Sequence, residues 1–543
     1  MPMGCVSHRH FYYKAMKKNI LIFLLFTCSF QLAAQVTFSK KYHFNYPLAI
    51  LGNVLVTDSC YYSTGVTLDT SSVFSIGNLF VKFDLEGNEI FNKPLFSDSK
   101  FYETWWGDLI KTNDGNLLTI GILTDTTRKG FMIKYNTAGD TLQTKEYFSP
   151  FYPDEPFITP IQVVEEPNGN ITTYDAVAKE GADGDLCISR FDSNLNLMDQ
   201  TTYGTAYKEN VGRMMILEDD GGLILGAGRN NKNLSNNNLW SRSLVFKTDT
   251  AGTVEWEYLS PASYIQDRAY ALLKTPDDGL IVGTSRGFEE YVNAGLGYLY
   301  WESAYFFKLD ENQNVEWELE VFDSINPAPN PVNEINRIVP INGGGAFIAA
   351  GSFHMTRSLS PSNSGTFGWF FKATNGGELE WVRKYKVIDS GLYFSHRFYD
   401  LKPTPDGGVI AAGEATGPNI PGERSQFGWL IKLDSFGCLI PGCQVNDTIT
   451  ATLDQPVASP PALAIYPNPA RDYLNFQLRP HRPLRQAHFR IVDASGRVVQ
   501  EIESDLPLET HIVPVWEWGA GVYFLQYVEG GEVRVSERFV VLE

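Results

Sequence analysis

The sequence predicts an all-β protein: a seven-bladed β-propeller followed by a small Ig-like β-sandwich. Three observations carry this expectation. Aromatic residues make up 13% of the 543 residues, with 47 Gly and 29 Pro and only 20% charged residues, a composition of ordered, turn-rich strands and not of disorder. A short strand with a basic residue at a fixed place recurs seven times along the first 440 residues. The last eighty residues then change composition and pattern. Length alone allows three to five domains at roughly 100–200 residues each, or fewer where one is a large β-fold.

The chain opens with an address. Met16, Lys17 and Lys18 precede an 11-residue apolar run from Ile20 to Phe30, and Ala33-Ala34 follow. A basic start, a short apolar run and a small-residue exit predict a secretory signal peptide over residues 1–34, cut after Ala34. Residues 1–15 read as upstream sequence, with Met16 as the start. Eleven apolar residues are too few for a membrane span of about 20. A lipidated Cys28 is disfavoured because Leu25, Phe26 and Thr27 are not the small residues that precede such a cysteine. No later segment has 18 uninterrupted apolar residues, so no transmembrane segment is expected in the exported chain.

Charge excludes two classes of partner. The whole chain carries −19; residues 1–34 hold four bases and no acid, which leaves 40 bases against 63 acids and −23 after export. Nucleic acid needs a basic footprint, and an anionic membrane surface attracts basic segments; neither is expected here. Four cysteines remain beyond the leader, too few for a disulfide-built scaffold. Cys438 and Cys443 flank a Pro-Gly turn and are expected to form a local disulfide in an oxidising compartment. Cys60 and Cys187 are expected to be buried small hydrophobes.

Residues 35–443 form the repeat region. The recurrent basic position falls at Lys82, Lys134, Arg190, Lys247, Lys308, Lys372 and Lys432, with gaps of 52, 56, 57, 61, 64 and 60 residues. Each unit shows four strand signals, A to D. Strand A leads into Asp-Gly or Asn-Gly, read as a two-residue hairpin; strand B follows; strand C carries the basic residue; strand D often carries Trp, as at Trp256, Trp317 and Trp381. Four antiparallel strands repeated seven times describe propeller blades. A row of separate sheets would leave faces and edges uncovered. The seventh unit lacks strand D, while Val36–Tyr42 aligns without gaps on Leu379–Tyr385. Residues 36–42 are therefore expected to close the ring, with Phe38 at the Trp position. Asp267 to Gly283 is the copy closest to a general pattern of bacterial secreted propeller repeats, which this region resembles. That resemblance specifies fold and leaves function open.

Residues 444–462 have linker composition, with Pro456, Pro460 and Pro461. Residues 463–543 hold eight Arg, no Lys and eleven acids, with short strand signals separated by turns. Three motifs stand in order here: Tyr466-Pro467-Asn468-Pro469, then Asp493 with Gly496, then Gly521 with Tyr523. The segment resembles the type A C-terminal sorting domain of type IX secretion cargo. The resemblance implies export across both membranes of a Gram-negative cell, recognition by the translocon and removal by a sortase. The protein would then be extracellular or attached to the outer-membrane surface.

Chemistry is sparse. Gly283 to Gly287 matches G-x-S-x-G but sits at the end of a strand B, not in a strand-to-helix elbow. Asp183-Gly-Asp185 and Asp277-Asp278-Gly279 are explained by turn chemistry, without the spaced oxygen ligands of a calcium loop. No metal-ligand spacing occurs, and no metal or cofactor is expected. The strand-C bases are expected to pair with nearby acids. Long B–C and D–A connections on one face are the expected place for a binding site. Candidate ligand-binding residues there are Trp105, Trp106, Trp240, Tyr300, Trp301, His354, His396 and Arg397, since aromatic faces suit sugar or peptide stacking. The expected function is a secreted, non-enzymatic binding propeller for a protein or glycan. The alternative is a glycan hydrolase or lyase, which needs two carboxyls roughly 5–10 Å apart.

Overall fold

The computed structural model describes residues 35–543 except 71–74, 153–156, 179–183, 206–207, 233–238, 262–268, 294–296, 322–332, 355–365, 389–394, 418–424, 441–442, 444–461, 467, 472, 480–486, 505–510, 517, 530–531 and 543. The expected leader and nearly all of the expected linker lie outside the described residues. The chain divides into two compact units after Cys443, each described here by itself.

The first unit is built of seven antiparallel sheets. In the first six, strands A to D follow one another in sequence. Blade three is typical: Phe157–Glu165, Ile171–Ala178, Gly184–Phe191 and Leu197–Tyr203. Blade seven takes Ser395–Pro403, Val409–Thr416 and Gln426–Leu433, and its fourth strand is Phe38–Tyr42 from the other end of the unit. Phe38 stands opposite Lys432, as Trp256, Trp317 and Trp381 stand opposite Lys247, Lys308 and Lys372. The expected ring closure is therefore present, in the expected register.

Burial explains why the ring is stable. Seven hydrophobic clusters occupy the seven seams between neighbouring blades. Each strand A also touches the strand A of its neighbours, so the inner strands surround one axis and the sheets close a β-propeller. The inner strands crowd there, and most lose register at one height: at Ile161 in blade three, Asn336 in blade six and Tyr399 in blade seven. Blades one and two break the strand outright, into Ala49–Leu51 with Leu55–Val56 and Phe101–Glu103 with Leu109–Lys111.

Two sequence expectations about turns are resolved. In blades two, three, four, five and seven the A–B turns are three-residue loops with a bulge, not two-residue hairpins, whereas blade one does turn through the two residues Asp58 and Ser59. Thr112 N–H donates to the Asn116 carbonyl at 2.9 Å, Gly115 N–H donates to the Thr112 carbonyl at 2.8 Å, and Gly115 takes φ 81°. The strand-C bases do pair with acids, Lys134 with Asp114 at 2.6 Å and Lys247 with Asp220 at 2.6 Å. Lys82 instead lies over the Tyr62 ring.

The seams carry a second device on the face of the short turns. Gly87, Gly139, Gly377 and Gly437 of the C–D turns lie on the strand-D rings of the preceding blade, Phe38, Phe91, Trp317 and Trp381. A Cβ at any of them would come within 2.7 Å of the ring. Trp317 Nε1 also donates to the Asn375 carbonyl at 2.8 Å. Strand-D tyrosines reach the same turns: the hydroxyls of Tyr42, Tyr203 and Tyr385 donate to the carbonyls of Gly87, Gly252 and Gly437.

Cys438 and Cys443 form a disulfide with Cα atoms 5.7 Å apart, and Cys60 and Cys187 are free and buried. The second unit holds two antiparallel sheets. One contains Ala462–Tyr466, Tyr473–Arg479 and His511–Pro514; the other contains Val498–Ser504, Ala487–Asp493, Gly521–Glu529 and Glu532–Val541. Both sheets contribute to a single core that includes Phe476, Phe489, Leu525 and Phe539.

Candidate ligand-binding site and sorting motif

The break in the inner strand of blade two places Trp105 and Trp106 where a continuous strand would run. Thr104 anchors the segment: its hydroxyl bonds to the Gly65 carbonyl at 2.6 Å and the Asn78 carboxamide at 2.8 Å. Gly52 of blade one admits the segment, because a Cβ there would lie 2.5 Å from Trp105 Cα. The two indoles contact each other at 4.8 Å, and Trp105 meets Tyr399 of blade seven edge-on at 5.8 Å. Both tryptophans are half-buried, and neither belongs to a seam cluster.

Tyr399 links this aromatic group to a polar one. Its hydroxyl donates to Glu414 Oε1 at 2.8 Å. Gln426 donates its amide to the other oxygen, and Arg397 is the cross-strand partner of Glu414. Next to Tyr399 in sequence, the buried Asp400 accepts from Arg337 Nε at 3.1 Å, Lys402 Nζ at 3.2 Å and Val54 N–H at 3.0 Å. Burial opposes its charge, but Lys402 and Arg337 outweigh that and hold the carboxyl below the usual range. Glu103, on the strand leading into Trp105, differs: burial raises its carboxyl above the usual range and Arg128 only partly opposes this.

Of the sequence candidates the structure brings Trp105 and Trp106 together and places Arg397 opposite Glu414 in the neighbouring strand; it adds Tyr399 and Glu414, which sequence reasoning missed. Tyr399 could have been noticed as an aromatic at the height where inner strands lose register. The other candidates are corrected. His396 is fully buried, with Nε2 accepting from Val387 and Ile388 N–H at 3.0 and 3.1 Å and Nδ1 facing the Thr366 carbonyl at 3.0 Å. It is a structural histidine, not a ligand contact. Trp240, Tyr300, Trp301 and His354 were expected in loops but lie in strands, opposite Asn231, Glu289, Phe288 and Thr366. A long connection satisfies its backbone by prolonging the hairpin, as in the 14- and 13-residue strands Leu280–Asn293 and Gly297–Leu309. Ser285 of the G-x-S-x-G match is buried within the first of these strands. Of the acid-rich turns, Asp277 pairs with Lys308, as turn chemistry predicts, while Asp183 lies outside the described residues.

In the second unit two of the three motifs meet at the terminal strand, and the third pairs with one of these. Asn468 Oδ1 accepts from Val540 N–H at 3.0 Å and its amide donates to the Arg538 carbonyl at 3.1 Å. Tyr466 ends its strand opposite Asn475, Pro467 lies outside the described residues, and Pro469 follows a cis peptide bond. Asp493 caps its turn at Ser495 and Arg497, which lowers its carboxyl to about 2, and Gly496 takes φ 83°. Asp493 stands opposite Tyr523, which stands opposite Phe539; Gly521 stands opposite Val541. The Tyr523 hydroxyl donates to the Gly519 carbonyl at 2.7 Å.

Residues 464–542 match the family described as the secretion system C-terminal sorting domain. No curated protein matches the chain significantly. Among solved structures the chain is similar to a Penicillium chrysogenum α-L-arabinanase complexed with arabinobiose, with 9% identity, coverage of 61% of this chain and 93% of that one, and a TM-score of 0.39. It is also similar to an ulvan lyase bound to -[GlcA(1-4)Rha3S]-, with 9% identity, coverage of 72% and 94%, and a TM-score of 0.44. A Bacteroides caccae protein of unknown function shows 13% identity, coverage of 52% and 85%, and a TM-score of 0.31. Likenesses this distant carry nothing about ligand or reaction. The seven sheets give this chain a β-propeller fold, and the match of residues 464–542 to a secretion-system C-terminal sorting domain indicates a secreted protein.

Proposed function

We propose that the propeller is a non-enzymatic binding module, exported through the type IX pathway, that takes a glycan or protein ligand at Trp105 and Trp106. The observation that carries this reading is the indole pair. It is fixed by Thr104 and Gly52 yet stands outside the seam clusters, so its apolar surface is available for contact. The acids beside it, Glu414 and Asp400, are held by amide, hydroxyl and cationic partners. On this reading the sorting domain is handed to the translocon and removed by a sortase, and the propeller is released or kept at the outer-membrane surface.

Screening the propeller on glycan and protein arrays with a hydrolysis readout tests the proposal. A Trp105→Ala/Trp106→Ala variant should lose affinity roughly thirtyfold, the effect of about 2 kcal/mol that an aromatic anchor contributes. Turnover of any arrayed substrate would overturn it. That result would favour a hydrolase or lyase, and Glu103, whose carboxyl is raised by burial, would be the acid to replace first, as Glu103→Gln.

A further inference from the structure

Four of the seven seams seat a C–D turn glycine on a strand-D ring of the preceding blade, and the seam of blades three and four joins Gly252 to Tyr203; at the seam of blades two and three Leu195 takes the place of the glycine, with φ 61°, and the strand-D residue Gln143 donates to the Asn194 carbonyl at 2.8 Å. At the seam of blades four and five this device is missing in each of its parts. The turn is Asp310 to Asn314, and the place of the glycine is taken by Gln313, with φ 63°. The strand-D ring is Trp256. A side chain at the turn position needs the space that the ring fills at the four seams of Phe38, Phe91, Trp317 and Trp381. The Glu311 carbonyl corresponds to the Asn375 carbonyl that accepts from Trp317, but here Gln313's own amide donates to it at 2.8 Å. Among the described residues Trp256 Nε1 has no acceptor. The position of Tyr42, Tyr203 and Tyr385 is Ser260, whose hydroxyl serves its own blade. The result is a cleft of about 220 Å³ between Trp256 and Gln313.

We propose that this cleft binds one neutral pyranose ring of a saccharide, on the face of the short turns and apart from Trp105 and Trp106. The volume is below the roughly 300–1,000 Å³ of pockets for drug-sized ligands, so the occupant is about one ring. The Trp256 face offers stacking for the C–H face of a sugar. The rim carries donors and acceptors together: Lys247 and Lys274 beside Glu218 and Asp278. A cationic ligand meets the two lysines and an anionic one meets the carboxylates, while hydroxyls bond with both. The Lys274–Glu218 ion pair at 2.8 Å bridges the two blades and holds the rim in place.

Gln313→Gly provides the decisive variant, because it should seat the turn on Trp256 and fill the cleft while relieving a left-handed glutamine. Saturation-transfer NMR of the chain without its leader would use methyl β-D-gluco-, galacto- and mannopyranoside as probes. Transfer to ring C–H protons of at least one glycoside is expected. Trp105→Ala/Trp106→Ala, which removes the first site, should retain transfer. In that background it should fall roughly tenfold in Trp256→Ala and vanish in Gln313→Gly, which should melt no lower than its parent. No transfer to any of the three glycosides in the Trp105→Ala/Trp106→Ala background, or transfer there that survives Gln313→Gly, would overturn the proposal.

Discussion

At the scale of the residue, His396 shows how a sequence candidate becomes a structural part. A histidine beside an arginine and aromatics reads as a ligand contact. The sequence does not show that residues 387 and 388 return to place two N–H groups on Nε2 while the ring packs edge-on against Trp429. Burial, the larger cause, and Lys386 lower its protonation to about 4. The unfolded chain binds that proton near 6.5, so between those values the unfolded state holds more protons. His396 therefore contributes stability above about pH 6.5 that is lost as pH falls toward 4, up to about 3 kcal/mol. Asp175 acts in the opposite sense: burial raises its carboxyl to about 7 despite hydroxyl donors from Ser189, Thr173 and Tyr147, so its contribution is lost as pH rises through 7. The two effects overlap in wild type, and the difference between variants separates them. On going from pH 7.5 to 4.5 the urea midpoint of His396→Gln should rise relative to that of wild type, because the variant keeps the Asp175 effect and loses the opposing one; a gap between variant and wild type that is the same at both pH values would rule this account out.

At the scale of the element, ring closure rests on one five-residue strand. Phe38–Tyr42 pairs with Gln426–Leu433, Phe38 is 8% exposed among Leu430, Ile410 and Tyr61, and the Thr37 hydroxyl reaches the Leu439 carbonyl at 2.6 Å beside the disulfide. Phe38→Ala should cost about 3–5 kcal/mol, read as a lower denaturation midpoint, and an unchanged midpoint would mean that this strand does not secure the ring. This strand was legible in the sequence because a repeat carries its register with it: Phe38 aligned on Trp381, and both stand opposite a strand-C lysine. The inner strands were less legible. Their breaks at 52–54 and 104–108 arise from crowding around the axis, which joins residues far apart in the chain, such as Trp105 and Tyr399. Long connections misled for a related reason, since polar and aromatic residues over 284–305 read as a loop yet continue a paired hairpin. Half of the candidate site was therefore visible as aromatics at a strand break, and the Tyr399–Glu414 half needed the fold.

At the scale of the whole molecule, the proposed reading gives binding to the first unit and export to the second, and the second is the more clearly stated in the sequence. Its three motifs lie far apart in the chain, yet two of them lean on Glu532–Val541, and the third is joined to it through Tyr523, which stands between Asp493 and Phe539. Asn468 clamps Val540 and Arg538, Ala470 exchanges backbone hydrogen bonds with Val540 and Leu542, and Tyr523 pairs with Phe539. Phe539 and Val541 also belong to the core shared by both sheets. Losing that one strand should therefore undo the domain as thoroughly as losing all of it. Deleting 532–543 and deleting 463–543 should each leave the protein in the periplasm, with the propeller still folded there because it is a compact unit in its own right. Cell fractionation with immunodetection, and protease resistance of the periplasmic propeller, would read the outcome. Export of the 532–543 deletion at wild-type level would show that the motifs act as linear peptides, independent of the strand that gathers them.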